Sequence, residues 1–243
     1  MSELRALLRA AVVTAVTAAA YAVVPAAPPA RRGRVVRLWA RATLRVLGAR
    51  VEVRGTGPEA PFLLVANHLG YLDVLVLASQ LDCVFVARDD VAAWPLVGRL
   101  CRAAGTLFVS RERKSDAPRA AARIESVLRE GRGVVLFPEG TSSEGAAVLP
   151  FKSALLAAAY RAGVPVACAA LTYATPRGEA PARVSICWWG DMKFVRHFID
   201  LLRLPRFTAR LSFGAERIFD ADRKVLAERL WHSVSRQFEP VTS

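Results

Sequence analysis

The chain has 243 residues, enough for one large α/β domain or two small ones with a buried core. It is 53% hydrophobic with a net charge of +13, so it is more apolar than an average soluble domain and calls for an anionic partner: nucleic acid, anionic lipid or an acidic carrier protein. Its four cysteines (Cys83, Cys101, Cys168, Cys187) lack Cys-x-x-Cys spacing, which argues against a zinc site and for free thiols in a reducing compartment.

From Ala10 to Ala30 no residue is charged; Arg5 and Arg9 precede the run, and Arg31, Arg32 and Arg34 follow it. The run is barely long enough to cross a bilayer. Its alanines contribute little to insertion, so a shallow or re-entrant helix suits it as well as a span, and a signal peptide is a third option. Arg34, Arg37, Arg41 and Arg45 then fall at i, i+3, i+7 and i+11, one stripe of a helix, with Val36, Trp39, Val46 and Leu47 on the other side. Arginine on one face with Trp and aliphatics on the other suits an anionic membrane surface; the plainer alternative is a surface helix docked on its own domain. Residues 1–50 are expected to be membrane-associating helices and residues 51–243 one domain.

Val51-Glu52-Val53 alternates as a strand and Gly55 to Pro58 is a turn. Phe62 to Ala66 reads as a buried strand, Asp73 to Leu81 as a helix, Cys83 to Ala87 as a strand and Val91 to Ala104 as a helix. Thr106 to Ser110 is strand-like. Asp116 to Gly133 is a helical unit in which Asp116 can cap, Pro118 suits the first turn and Gly131 the exit. Val134 to Phe137 and Val164 to Leu171 are strands on either side of an Ala-rich helix from Ser153 to Ala162. Val184 to Trp188 is expected to be a strand, Phe194 to Leu202 a helix, Arg210 to Phe213 a late strand and Leu226 to Phe238 the last helix. Alternating strands and helices predict an α/β fold: a mostly parallel or mixed central sheet flanked by helices, with an N-terminal helical membrane anchor.

Polar groups, glycine and proline concentrate at the ends of these strands, where α/β sheets bind ligands. Asn67 to Asp73 follows the first buried strand. His68 can take a proton near neutral pH, and Asp73 can fix its tautomer and support the imidazolium. Positions i and i+5 lie about 140° apart on a regular helix. The two can therefore meet only if His68 precedes the helix and Asp73 sits in its first turns, with Gly70 at the bend. Gly105 to Arg111 places Arg111 at a strand end, where it can grip a phosphate bidentately. Phe137 to Ser143 sets Glu139 directly after a buried strand. Gly140 there permits close backbone approach, Thr141 and Ser142 offer hydroxyls, and Lys152 can add a cation.

In order and spacing, Asn67-His68…Asp73, Gly105 to Arg111, Phe137 to Ser142 and Val164-Pro165-Val166 together resemble the four blocks of the glycerolipid acyltransferase family, which includes bacterial 1-acyl-glycerol-3-phosphate acyltransferases. The resemblance spans Phe62 to Leu171. It implies that His68 and Asp73 act as the base pair in a triad whose nucleophile is the substrate hydroxyl. It implies that Arg111, Glu139, Gly140, Thr141, Ser142 and Lys152 bind the substrate, and that no metal or cofactor is needed. The implied partners are a lysophospholipid acceptor, an acyl-CoA or acyl carrier protein donor and an anionic membrane surface on the cytoplasmic face. Arg88-Asp89-Asp90 and Cys168 depart from the family pattern, which leaves lyso-ornithine lipid or another lysophospholipid as alternative acceptors. A non-enzymatic basic membrane-surface protein is more remote. No nucleic-acid motif and no Gly-x-Ser-x-Gly elbow is present.

Overall fold

The computed structural model describes residues 2–94, 97–110 and 116–241. A single seven-stranded sheet runs in the order β1-β7-β6-β2-β5-β3-β4, with β1 Ala49–Arg54, β2 Phe62–Ala66, β3 Cys83–Arg88, β4 Leu107–Val109, β5 Gly133–Leu136, β6 Val166–Ala174 and β7 Phe207–Phe213. Every neighbouring pair is parallel except β6 and β7, so the sheet is mixed.

The central strands are continuous apolar runs because both faces are covered. Phe62, Leu64 and Ala66 of β2 face one core, and Leu63 and Val65 face the other. In β6, Ala167, Ala169, Leu171 and Tyr173 join the first core and Val166, Cys168 and Ala170 the second. The first core is covered by α1 (Ser2–Ala26), α2 (Pro29–Val46), α3 (Tyr71–Gln80) and α8 (Phe194–Arg203). The second is covered by α5 (Asp116–Arg129), α6 (Ala157–Ala162) and α9 (Arg223–Gln237).

Three local expectations are corrected. Val184 to Trp188 is not a strand; α7 (Ala182–Ser185) occupies its start, with Ala182 and Ser185 buried. The helix expected over 91–104 is divided into a 3-10 turn at Asp89–Ala93 and α4 at Val97–Ala103. Asp116 does not stand before its helix as a cap. It lies within the helix, and its carboxylate accepts the Ser110 amide at 2.8 Å, tying α5 to the exit of β4.

The N-terminal helices are part of this architecture. Ala6, Ala40, Leu44 and Leu47 belong to the same core as the sheet. Near its start α1 is held to the end of α8: Arg5 donates to the Arg203 carbonyl at 2.8 Å, Arg9 to the carbonyls of Leu204 and Pro205, and Glu3 pairs with Arg203 at 2.9 Å. Near its end Ala20 and Val24 pack on Leu100, and the Arg99 guanidinium lies 4.8 Å from the centre of the Tyr21 ring. In α2, Val36 and Trp39 turn inward on α1 and the domain, and Trp39 Nε1 donates to Thr17 Oγ1 at 3.2 Å. The apolar face of α2 is therefore spent on its own domain, as in the plainer of the two sequence readings. Arg31, Arg34, Arg41 and Arg45 face outward around Leu38.

Candidate active site

The site grows from the C-terminal end of β2. Asn67, the next residue, is buried, and its side chain copies a strand's pairing: Oδ1 accepts the Leu171 amide at 2.7 Å and Nδ2 donates to the Leu171 carbonyl at 2.9 Å. The loop after β2 is thereby locked to β6. Gly70 turns the chain into α3, pressed so close to the main chain of Trp188 that a Cβ would stand 2.9 Å from its nitrogen. Trp188 in turn donates its amide to the Leu69 carbonyl at 2.8 Å.

His68 precedes α3 and Asp73 lies in its first turn, the one arrangement that the five-residue spacing allows. His68 Nδ1 and Asp73 Oδ2 are 2.8 Å apart. The same oxygen accepts the amides of Leu69 at 2.6 Å and Gly70 at 2.9 Å, satisfying donors that the start of a helix leaves free. Asp73 Oδ1 accepts the Tyr173 hydroxyl at 2.7 Å. The carboxylate is wholly buried, whereas the imidazole is 23% exposed and stacks on Phe137 with ring centroids 4.2 Å apart. With Nδ1–H donating to the Asp73 carboxylate, Nε2 is left as the acceptor nitrogen. The other histidines differ: His197 is buried against the Tyr71 hydroxyl at 3.0 Å, and His232 is a surface residue on α9.

The block after β5 meets this loop directly, because the Ser143 amide donates to the His68 carbonyl at 3.0 Å. Gly140 has φ 71° and lies beneath Lys152, whose Nζ is 2.9 Å from where a Cβ would be. Lys152 and Thr141 are exposed and Ser142 is half-buried. A cleft of about 170 Å³ opens here, lined by Val86, Val109, Leu136 and Phe137 with Arg88, Gly140 and Lys152 among its polar lining. Arg88 is held by Asp90 through two contacts of 3.0 and 2.7 Å, so Lys152 is the cation on this cleft without an acid partner among the described residues. Arg111 lies outside the described residues.

Glu139 differs from a surface ligand. It is 3% exposed, and neither carboxylate oxygen has a hydrogen-bond partner among the described residues. Burial pushes its carboxyl up to about 8; the amides of His68 and Leu149 oppose the shift without closing a hydrogen bond, and the Asp73 charge adds to it. Burial thus favours the protonated form of this side chain. The folded chain therefore binds the proton more tightly than the unfolded chain. The stability this contributes is full below about pH 4.5 and is lost as pH rises through about 8. Glu139→Gln keeps the shape and cannot ionise. Its thermal midpoint is expected to gain on the parent's from about pH 5 to about pH 8.5. Midpoints that stay parallel over that range would refute the upward shift of the Glu139 carboxyl.

Two parts of the site escaped the sequence reading. Tyr173 lies beyond the expected end of β6 at Leu171, and only the need of a buried phenol for an acceptor pointed to it. Phe137, read as the end of a strand, supplies the surface on which His68 stacks.

An acyltransferase family model matches residues 50–172, the segment that holds His68, Asp73 and Phe137 to Lys152 but neither Tyr173 nor Trp188. The chain is 38% identical over 170 residues to a lyso-ornithine lipid O-acyltransferase of Rhodobacter capsulatus, a match over 68% of this chain and 60% of that protein's length. It is 35% identical to the corresponding enzyme of Rhizobium meliloti, over 82% of this chain and 73% of the relative. It is 30% identical to a 1-acyl-sn-glycerol-3-phosphate acyltransferase of Neisseria meningitidis, over 85% of this chain and 81% of the relative. The crystal structure of the 1-acyl-sn-glycerophosphate acyltransferase of Thermotoga maritima has the same fold: TM-score 0.71 over 97% of this chain and 95% of that one, at 19% identity.

Proposed function

The chain belongs to the acyltransferase family, and from that premise we propose that it moves a fatty acyl group from a thioester donor to the free hydroxyl of 1-acyl-sn-glycerol-3-phosphate, giving phosphatidic acid. The observation that carries the reading is the 2.8 Å contact between His68 and a wholly buried Asp73. His68 Nε2 takes the proton of the acceptor hydroxyl as that oxygen attacks the acyl carbonyl, and returns it to the departing thiolate. Asp73 fixes the tautomer and supports the transient imidazolium, so no acyl-enzyme is needed. Lys152 at the cleft mouth, with the hydroxyls of Thr141 and Ser142, and Arg111, receives the acidic headgroup. Glu139 and Gly140, directly after β5, complete the substrate-binding set.

A second acceptor, lyso-ornithine lipid, has support of its own in the higher identity to the Rhodobacter and Rhizobium enzymes. Purified full-length chain given a labelled acyl donor and a panel of lysolipids separates the two. Product from lysophosphatidic acid is expected; product from lyso-ornithine lipid alone would transfer the acceptor assignment and leave the chemistry standing. Running the panel with acyl-CoA and with acyl carrier protein identifies the donor, both being anionic thioesters suited to a chain of net charge +13.

We place this chemistry at the cytoplasmic face of the membrane, with α1 lying in the interface. A helix of 25 residues is about 37 Å long and could cross a bilayer, yet α1 is fastened to the domain near both of its ends. Its outward face carries Leu4, Leu7, Leu8, Val12 and Val23, and its charged residues Glu3, Arg5 and Arg9 bind the end of α8. Buried on one side and apolar on the other, it suits a half-embedded helix flanked by the α2 arginines.

A further inference from the structure

Asp73 has more donors than capping α3 and orienting His68 require. Its Oδ2 serves both tasks, through the amides of Leu69 and Gly70 and through His68 Nδ1. Among the described residues its Oδ1 meets only Tyr173, which reaches in from the end of β6 across 100 positions of sequence. The phenol is buried in the first core beside Phe207, ring centroids 6.4 Å apart. Packing alone would be met by phenylalanine at this position. Burial, reinforced by the Asp73 charge, pushes the phenol far above its ordinary range, so it remains a donor at every working pH. The hydroxyl thus has one partner, the oxygen of the carboxylate on which His68 depends.

We propose that Tyr173 is a positioning residue for acyl transfer, its hydroxyl fixing the Asp73 carboxylate and weakening that carboxylate's hold on the proton shared with His68, and so setting the lower pH limit of activity. The proposal rests on the reading of His68 and Asp73 as the base pair. A hydrogen bond donated to an anion favours the anion; without it the pair holds its shared proton more tightly.

The test is kcat/KM against pH for the full chain and two variants, with labelled acyl donor and lysolipid. Tyr173→Phe is expected to move the acid limb upward by about one pH unit, with KM for both substrates unchanged. A ring-fluorinated tyrosine at position 173, a stronger donor of nearly the same shape, is expected to move the limb downward. It decides the matter alone if the phenylalanine variant does not fold. An acid limb unmoved in the folded variants would overturn the proposal and reduce Tyr173 to packing. His68→Ala with normal turnover would instead remove the base assignment itself, whatever position 173 does.

Discussion

Replacing His68 by alanine is expected to lower acyl transfer by about 10²–10⁴-fold, the usual worth of a positioned general base. The chain should still fold, because the ring is partly exposed and rests only on Phe137 and Asp73. Asp73 would keep three of its four donors, the Leu69 and Gly70 amides and the Tyr173 hydroxyl, so no unpartnered charge is created. Asp73→Asn should cost turnover too, and stability with it. Its Oδ2 position receives three donors, and an amide NH₂ placed there would face N–H groups. The alternative rotamer would turn the NH₂ on the Tyr173 hydroxyl instead, the milder outcome. Turnover and thermal midpoint measured on both variants separate the roles. A large loss of rate at an unchanged midpoint is expected of His68→Ala, and near-parental turnover would sink its assignment as the base.

The pair was legible in the sequence because the spacing carried geometry. A bend after His68 and a helix start before Asp73 were the conditions for contact, and both are met. The sheet was legible for a similar reason: Phe62 to Ala66 and Val134 to Leu136 are too short and too apolar for anything but strands buried on both faces. Tyr173 was not legible, because its partner Asp73 lies on α3, 100 positions away, and a contact between a strand end and a distant helix leaves no local trace. The segment Val184 to Trp188 misled because its Ile-Cys-Trp run has a strand's composition. What holds it is the Trp188 amide on the Leu69 carbonyl, a loop contact, and not a ladder. Glu139 was read as a ligand from its place after β5; its burial, which raises its carboxyl, is a tertiary property that no local pattern announces. In α2 the arginine stripe was real, but helical periodicity alone cannot say which face finds a partner; the partner of Trp39 is Thr17 of α1.

That last point changes how membrane attachment should be tested, and the expected result is a loss of vesicle binding from the outer face of α1 alone. Deleting residues 1–50 would strip Ala6, Ala40, Leu44 and Leu47 from the core, and lost binding would then report lost folding. Leu4, Leu7 and Leu8 are 63%, 69% and 59% exposed, so replacing all three by glutamate removes little internal packing. Each leucine inserted in the interface contributes on the order of 1 kcal/mol, and a carboxylate at that depth opposes insertion. Together they should lower partition onto vesicles containing an anionic lipid by about 10²-fold or more. The arginines on α2 supply a separable electrostatic part: raising salt should weaken binding of the parent chain and leave the leucine contribution standing. Turnover on detergent-dispersed lysolipid should survive the triple substitution, since α1 touches none of the groups around His68. Undiminished vesicle binding by the triple variant would move the membrane contact off α1 and overturn its placement in the interface.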